Sequence, residues 1–400
     1  MRKYGLLPAT MPDRLGQDAE LAGSSLSEEV MVYFPDTRES LYQLRQWYDP
    51  IKALHAKHPV VVILQDSRTA RIVAAESGLR CLTIAKYGAV DDLLARSDVK
   101  LALYVNHNPQ NFANLRFLSL VHVHLSHGDS DKGVSVSNQI KGYDFNFVAG
   151  QAAVDRVAQY TMLYDTKART IPIGRPQLDF AAHVEVEQSP LPTVLYCPTW
   201  EGAQPSMAYS SVATHGEAML RSLIESERYR VIYRPHPLTG VTDETIGLAD
   251  IALRRLMRDA AEAHPDVGHR VDVECPIAES FAASDLMICD VSGVCIDYLP
   301  SRKPMVITTP ASPDVVAAGT RLLESVPRLR AADSGRIADV VRQQLEADPD
   351  RQRRLDLVEY YLGDTTPGVA TQRFIAACED AMALRDTAWG EVRARGPAGP

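Results

Sequence analysis

Asp290-Val291-Ser292-Gly293 stands between an apolar run, Leu286–Cys289, and a segment with helical spacing. A strand, a tight turn of small residues and the first turn of a helix would set Ser292 and Gly293 among free backbone N–H groups. A phosphate can approach such a helix start closely. Asp297, on the same helix, would lie near a ligand or in solvent. The plainer reading is a strand–helix junction capped by the Ser292 hydroxyl. Three further constellations also end strand-like runs. In His122-Val-His124-Leu-Ser-His127-Gly128, His127 opens a polar loop that continues through Asp129 to Lys132. Its imidazole titrates near working pH and suits removal of a proton from an attacking hydroxyl. His122 and His124 alternate along the strand and read as packed. Pro198-Thr199-Trp200 follows another strand, and Trp200 would either support a nucleotide base or plug the core. In Arg234-Pro235-His236-Pro237, two prolines hold a guanidinium and an imidazole in a fixed, non-helical geometry suited to phosphate oxygens. Incidental charge on a surface turn is the alternative there.

Groups at strand ends need a scaffold that presents strand ends together. Short apolar runs at Val30–Phe34, Val60–Gln65, Arg80–Ile84, Leu101–Asn106, Leu120–Ser126 and Phe145–Ala149 surround helical spacing at Ser40–Lys57, Thr69–Ser77 and Val90–Arg96. That alternation predicts buried parallel strands with crossover helices. A break with three prolines and charge spans Ile173 to Pro192. A second series then follows, with strands at Val194–Cys197, Arg230–Tyr233, Asp272–Glu274, Leu286–Cys289 and Met305–Thr308. Its helices fall at Gly216–Ser226, Ile246–Ala263, Ile277–Ala283 and Gly335–Glu346. The expected fold is α/β, two Rossmann-like domains facing across a cleft where ligands of such sheets bind. Residues 1–28 read as a loose arm, 29–185 as an acceptor domain and 190–365 as a nucleotide-donor domain. A helix over 366–390 is expected to pack back on the first domain, with Asp364 and Thr365 as its caps and Pro367 in its first turn. The tail Arg393–Pro400 is expected to be disordered.

A length of 400 residues suits two such domains, and 46% hydrophobic residues suit a globular chain. The net charge of −9 argues against a broad nucleic-acid-binding face but leaves room for a local basic pocket. No run reaches the ~18–20 apolar residues that cross a bilayer. The expected location is the cytoplasm, with peripheral contact at the inner membrane face left open. The six cysteines form no C-x-x-C pair and read as buried thiols, so neither zinc nor another metal or cofactor is expected.

Taken together, the motifs resemble the CDP-glycerol glycerophosphotransferase family of teichoic acid and capsule synthesis. The segments that carry the resemblance are His127-Gly128 with Lys132, Gly174-Arg-Pro176-Gln-Leu-Asp179, Cys197-Pro-Thr-Trp200 and Arg234-Pro-His236-Pro237. Ser284-Asp285 through Asp290-Val-Ser292-Gly293, then Asp297 and Lys303-Pro304, complete the series. Asp129-Ser130 stands where the family has Thr-Pro, and Val291-Ser292-Gly293 where it has Tyr-Ser-Ser. The resemblance implies a GT-B fold and a metal-free transfer. His127 would be the base on the acceptor hydroxyl, and Arg234, His236, Ser292, Gly293 and Lys132 would hold or act on the donor's phosphates. Pro198, Thr199, Trp200 and Asp297 would line the nucleotide side. The implied reaction moves a polyol phosphate from a CDP-linked donor to a glycan or lipid-linked polymer. A nucleotide-sugar glycosyltransferase and a non-catalytic nucleotide-binding component of a polymer-assembly complex are the two rival readings.

Overall fold

The computed structural model describes residues 15–125, 137–180, 189–202, 208–311, 315 and 320–395. The chain divides into two compact units. Described residues up to 125, 137–180 and from Leu362 onward form the first; 189–361 form the second. The first carries β1 (Val30–Phe34), β2 (Val60–Leu64), β3 (Arg80–Thr83), β4 (Leu101–Tyr104), β5 (Val121–His124), β6 (Phe145–Val148) and β7 (Thr170–Pro172). These pair in parallel in the order β3-β2-β1-β4-β5-β6-β7. The second unit carries β8 (Thr193–Cys197), β9 (Arg230–Tyr233), β10 (Arg270–Val271), β11 (Leu286–Cys289), β12 (Met305–Thr308) and β13 (Arg328–Leu329). Its order is β10-β9-β8-β11-β12-β13, again parallel. Both sheets reverse direction of growth once, between β1 and β4 and between β8 and β11.

The continuous apolar runs follow from burial of both faces of a parallel sheet. Val30, Val32 and Phe34 point to one layer with Val62, Leu64 and Leu103. Met31 and Tyr33 point to the opposite layer with Val61, Ile63 and Tyr104. The first layer is closed by the long helix Val369–Ala394, which buries Phe374, Ile375, Cys378, Ala381 and Met382 there. Truncating a core aromatic such as Phe374 to alanine costs about 3–5 kcal/mol.

That helix is capped differently from the sequence-based expectation. Asp364 accepts from Thr366 N in a local turn, and the N-cap is Gly368 at φ +83° with no side-chain bond. The cap arrives from afar instead: Asp179 accepts from Thr371 N and Thr371 Oγ1, each at 2.7 Å. Gly174, at φ +81°, lets the same segment come close, since a Cβ there would lie 2.8 Å from Ala370 Cβ. Gly174–Asp179 is thus a joint for the last helix. The helix continues to Ala394, so residues 393 and 394 are ordered helix and not tail.

Other elements also differ from the expectations. Residues 15–28 are not a loose arm. Gln17 N donates to Thr83 O at 2.7 Å and its side chain accepts from Thr83 N, which covers the edge strand β3; Leu26 is buried. The segment 40–57 breaks into helices Leu41–Arg45 and Tyr48–His55. The strand expected at Asp272–Glu274 lies at Arg270–Val271, and Asp272 is used as a side-chain acceptor. Strands β7 and β13 and helices Gln151–Tyr160 and Arg351–Leu362 were not foreseen. Among the described residues no helix is long and apolar enough to cross a membrane.

At the amino ends of β1 and β2, His58 lies between Glu29 (2.9 Å) and Glu379 of the last helix (3.0 Å). Burial draws its pKa down, but the two carboxylates outweigh this and hold it above the ordinary value. A raised folded pKa gives stability that is complete below the unfolded value, about 6.5, and is lost as pH rises through the folded pKa. In thermal melts, His58→Ala should therefore cost more stability at about pH 6 than at about pH 8.5. Equal costs at both would contradict the assignment.

Candidate active site

In open parallel sheets ligands bind outside the carboxyl ends of the strands, where the strand order reverses. In the second unit that point lies between β8 and β11. One buried carboxylate ties the segments that leave it. Asp290, fully buried just after β11, accepts from Thr199 N (2.8 Å), Ser211 N (3.1 Å) and Thr308 Oγ1 (2.5 Å). Thr199 follows β8, and Thr308 ends β12. Burial pushes the Asp290 carboxyl above the usual range, while these donors work in the opposite direction. The thiol of Cys197, at the end of β8, is pushed by burial up to about 12. It packs as an apolar group and is no nucleophile.

A second carboxylate holds the next loop. Glu201 is 5% exposed and accepts from Gly240 N (3.0 Å), Thr242 N (2.8 Å), Thr242 Oγ1 (3.1 Å) and Asp243 N (3.2 Å). Burial alone would raise its pKa; the donors outweigh it and hold it low. Gly240 is at φ +76°, and a Cβ there would come within 2.5 Å of Gly247 Cα. This clasp fixes the loop that follows His236.

The predicted residues take these places. Pro198 and Thr199 are buried at the turn after β8, and Thr199 serves through its backbone. Trp200 is half-buried, its ring 6.2 Å from that of His236 and inclined by 22°. His236 accepts from Leu238 N at 3.1 Å. Arg234, which also follows β9, donates to Cys275 O (2.8 Å), Cys275 Sγ (3.3 Å) and Ser280 Oγ (3.1 Å). Ser280 in turn donates to Asp272 at 2.7 Å. Burial would raise Asp272, but bonds from Cys275 and Ser280 and the charges of Arg270 and Arg234 hold it low. Much of the Arg234 fork is therefore spent within the unit.

Ser292 occupies the N-cap position of the helix Gly293–Tyr298 with extended backbone, φ −159°. Its hydroxyl makes no cap bond, contrary to the plainer sequence reading, and Oγ is buried with no hydrogen-bond partner among the described residues. Gly293 and Asp297 are half-buried in this short helix. His127, Lys132, Gly128 and Asp129 lie outside the described residues. The strand that leads toward them ends at His124. His122 is packed as expected, with Tyr104 Oη 2.8 Å from Nδ1 and Phe117 O 3.2 Å from Nε2. Burial lowers its pKa. His124 is also buried, 5.1 Å from the Tyr143 ring.

Several motif residues are framework. Lys303 Nζ donates to the carbonyls of Phe281, Ala282 and Ser284 at 3.2, 3.0 and 2.6 Å, closing the end of the helix Ile277–Ala283. Asp285 accepts from Thr193 N at 2.7 Å. These four bonds lie at the amino ends of the strands, away from the switch point. Sequence reasoning missed Glu201, Ser211 and Thr308, and it treated Asp290 only as part of a turn. Acidic residues directly after apolar strands were the signal available. No group of three metal-ligating side chains occurs among the described residues.

Two Rossmann-like units and a small-residue turn at the switch point define an α/β protein of GT-B type. The family model described as "CDP-Glycerol:Poly(glycerophosphate) glycerophosphotransferase" matches residues 126–358, more than half of the chain, and the protein belongs to that family. It is accordingly a transferase of the glycerophosphotransferase kind. Among solved structures, the wall teichoic acid polymerase TagF is similar at 12% identity and TM-score 0.57, covering 89% of this chain and 90% of that one. A TagF variant soaked with CDPG matches at 10% identity and TM-score 0.56, with 89% of each chain covered. An S. aureus MnaA–UDP co-structure matches at 11% identity and TM-score 0.55, covering 89% and 97%. At such identities these likenesses speak to the fold. No curated protein matches the chain.

The Glu201 clasp yields a direct expectation. Glu201→Ala removes the charged acceptor of the Gly240, Thr242 and Asp243 N–H groups and should cost about 1–3 kcal/mol in urea unfolding. Amide exchange at Gly240 and Thr242 should accelerate well beyond that at Val231 in the core of β9. Unchanged exchange at the loop would show that the clasp does not hold it.

Proposed function

We propose that the protein transfers glycerol phosphate, or a similar polyol phosphate, from a CDP-linked donor to a hydroxyl of a cell-wall or capsule glycan. Family membership carries this reading, and the uncommitted Ser292 hydroxyl at the switch point supports it. The acceptor oxygen attacks the donor's β-phosphorus. The bond from that phosphorus to the bridging oxygen breaks, CMP leaves with the electron pair, and His127 takes the acceptor's proton. Ser292, Gly293 and Lys132, with the part of Arg234 not engaged in the unit, stabilise charge on the transferred group. His236, held by its flanking prolines, acts at the leaving phosphate, and Trp200, Pro198, Thr199 and Asp297 border the nucleotide. The acceptor is a polymer at the inner membrane face, reached by peripheral contact.

A nucleotide-sugar donor is the second reading. It is favoured by Gly293 in place of a second serine and by the fold likeness to a protein solved with UDP. There the same base would serve attack on an anomeric carbon. The released product separates the two: CMP for the first, a nucleoside diphosphate for the second. Incubation with CDP-glycerol and a glycan acceptor should release CMP, and His127→Ala should slow it by roughly 10²–10⁴-fold. CDP-glycerol at ~100 times its Kd should also add about 2.7 kcal/mol of stability in thermal shift. Turnover of a UDP- or GDP-sugar with no use of any CDP-alditol would overturn the proposal.

A further inference from the structure

The first unit has its own switch point, between β1 and β4, and a set of polar side chains converges there. Asp36 comes from the segment after β1, Gln43 from the helix Leu41–Arg45, and Asn106 from the segment after β4. Asn106 Nδ2 donates to Asp36 Oδ2 at 2.5 Å and to Gln43 Oε1 at 2.8 Å. A carboxylate cannot donate, so the amide must present its nitrogen to Asp36, and its orientation is chemically forced. Its oxygen is thereby turned away from both. Asn106 is only 3% exposed, and Oδ1 has no partner among the described residues. Leaving such a buried acceptor unpaired costs about 1–3 kcal/mol.

The arrangement is rigid. Asn111, fully buried, donates to Asn106 O at 2.8 Å and to Tyr143 Oη at 3.0 Å, which fixes the segment after β4. The neighbouring His107 ring stacks on His124 with centroids 4.2 Å apart and planes inclined by 21°. Asp36, Gln43 and His107 are only partly buried, so the cluster reaches the surface of the unit.

The chemistry of the set selects its ligand. Both Asn106 N–H bonds are spent on Asp36 and Gln43. What remains is the Asn106 amide oxygen and the second oxygen of the Asp36 carboxylate, both acceptors, and one amide N–H of Gln43 beyond that donated to Tyr42 Oη at 3.2 Å. A phosphate would be repelled by Asp36 and would find no donor from Asn106. A group that brings O–H donors and no negative charge fits. We infer that Asp36, Gln43 and Asn106 form a hydroxyl-recognition subsite for a polyol or sugar. On the transfer reaction proposed above, on which this assignment of role rests, the subsite selects the acceptor. β5, paired with β4, ends at His124, three residues before His127.

Saturation-transfer NMR on the full chain reads binding without turnover. The probes are glycerol and methyl glucoside, both uncharged. The native chain should saturate at least one of them. Asp36→Ala and Gln43→Ala, at partly exposed positions, should each weaken binding roughly tenfold, the loss expected of one good hydrogen bond. Asp36→Asn keeps an acceptor oxygen and should lose less than Asp36→Ala. Undiminished saturation in both alanine variants, or saturation by neither probe in the native chain, overturns the inference. CMP release from CDP-glycerol is measured on the same native sample. Its absence beside intact, variant-sensitive saturation would count against the donor chemistry alone, so the two failures are distinguishable.

Discussion

The buried Asp290 carboxylate is the constraint on which the second unit's site depends. A parallel sheet delivers strand ends to one edge but leaves the segments beyond them without backbone partners. At the switch point this problem is acute, because β8 and β11 send their chains to opposite faces. Asp290 answers it by accepting from the segment after β8, from Ser211 and from Thr308 at the end of β12. Desolvating a carboxylate is costly, and only several well-placed donors offset it. A group held on those terms fixes three segments at once. Glu201 repeats the device one loop further on, with four donors.

The motif residues consequently fall into two kinds. Some are consumed by the framework: Gly174 and Asp179 seat the last helix, Asp285 and Lys303 lock the amino ends, and Asp290 locks the carboxyl ends. Others stand partly exposed at the carboxyl edge: Trp200, His236, Gly293 and Asp297, and the Ser292 hydroxyl makes no hydrogen bond among the described residues. Arg234 is intermediate, since its guanidinium is largely engaged with Cys275 and Ser280. A family signature is thus as much a record of how loops are pinned as of what touches substrate. In the first unit the pattern recurs with a different outcome. Asn106 bridges Asp36 and Gln43 and leaves acceptors where the second unit leaves donors and rings.

Strand cores were legible in the sequence because burial on both faces forces unbroken Val/Ile/Leu runs, as at Val60–Leu64 and Leu286–Cys289. The short strands Thr170–Pro172 and Arg328–Leu329 were not, because two or three residues at a sheet edge carry no pattern. Residues 15–28 looked loose because what holds them is side chain–backbone bonding by Gln17 and Asp18, which composition does not reveal. The cap of the last helix was misread for a related reason: Asp364 is close in sequence, but Asp179 is close in space. At the site, residue types after strands pointed to Trp200, Arg234, His236 and Ser292. Their partners could not be read, since Thr199–Asp290 and Gly240–Glu201 are contacts between distant segments.

Replacing Asp290 by asparagine tests this account most directly. The change keeps shape, removes the charge and turns an acceptor-only group into one with an amide N–H₂. Hydrogen exchange at Thr199 and Ser211, measured beside CDP-glycerol affinity, reads both structure and function. The account predicts faster exchange at those two amides, unchanged exchange in the core of β9 and donor binding weakened by roughly tenfold or more. Native-like exchange at Thr199 and Ser211 together with native donor affinity would contradict it.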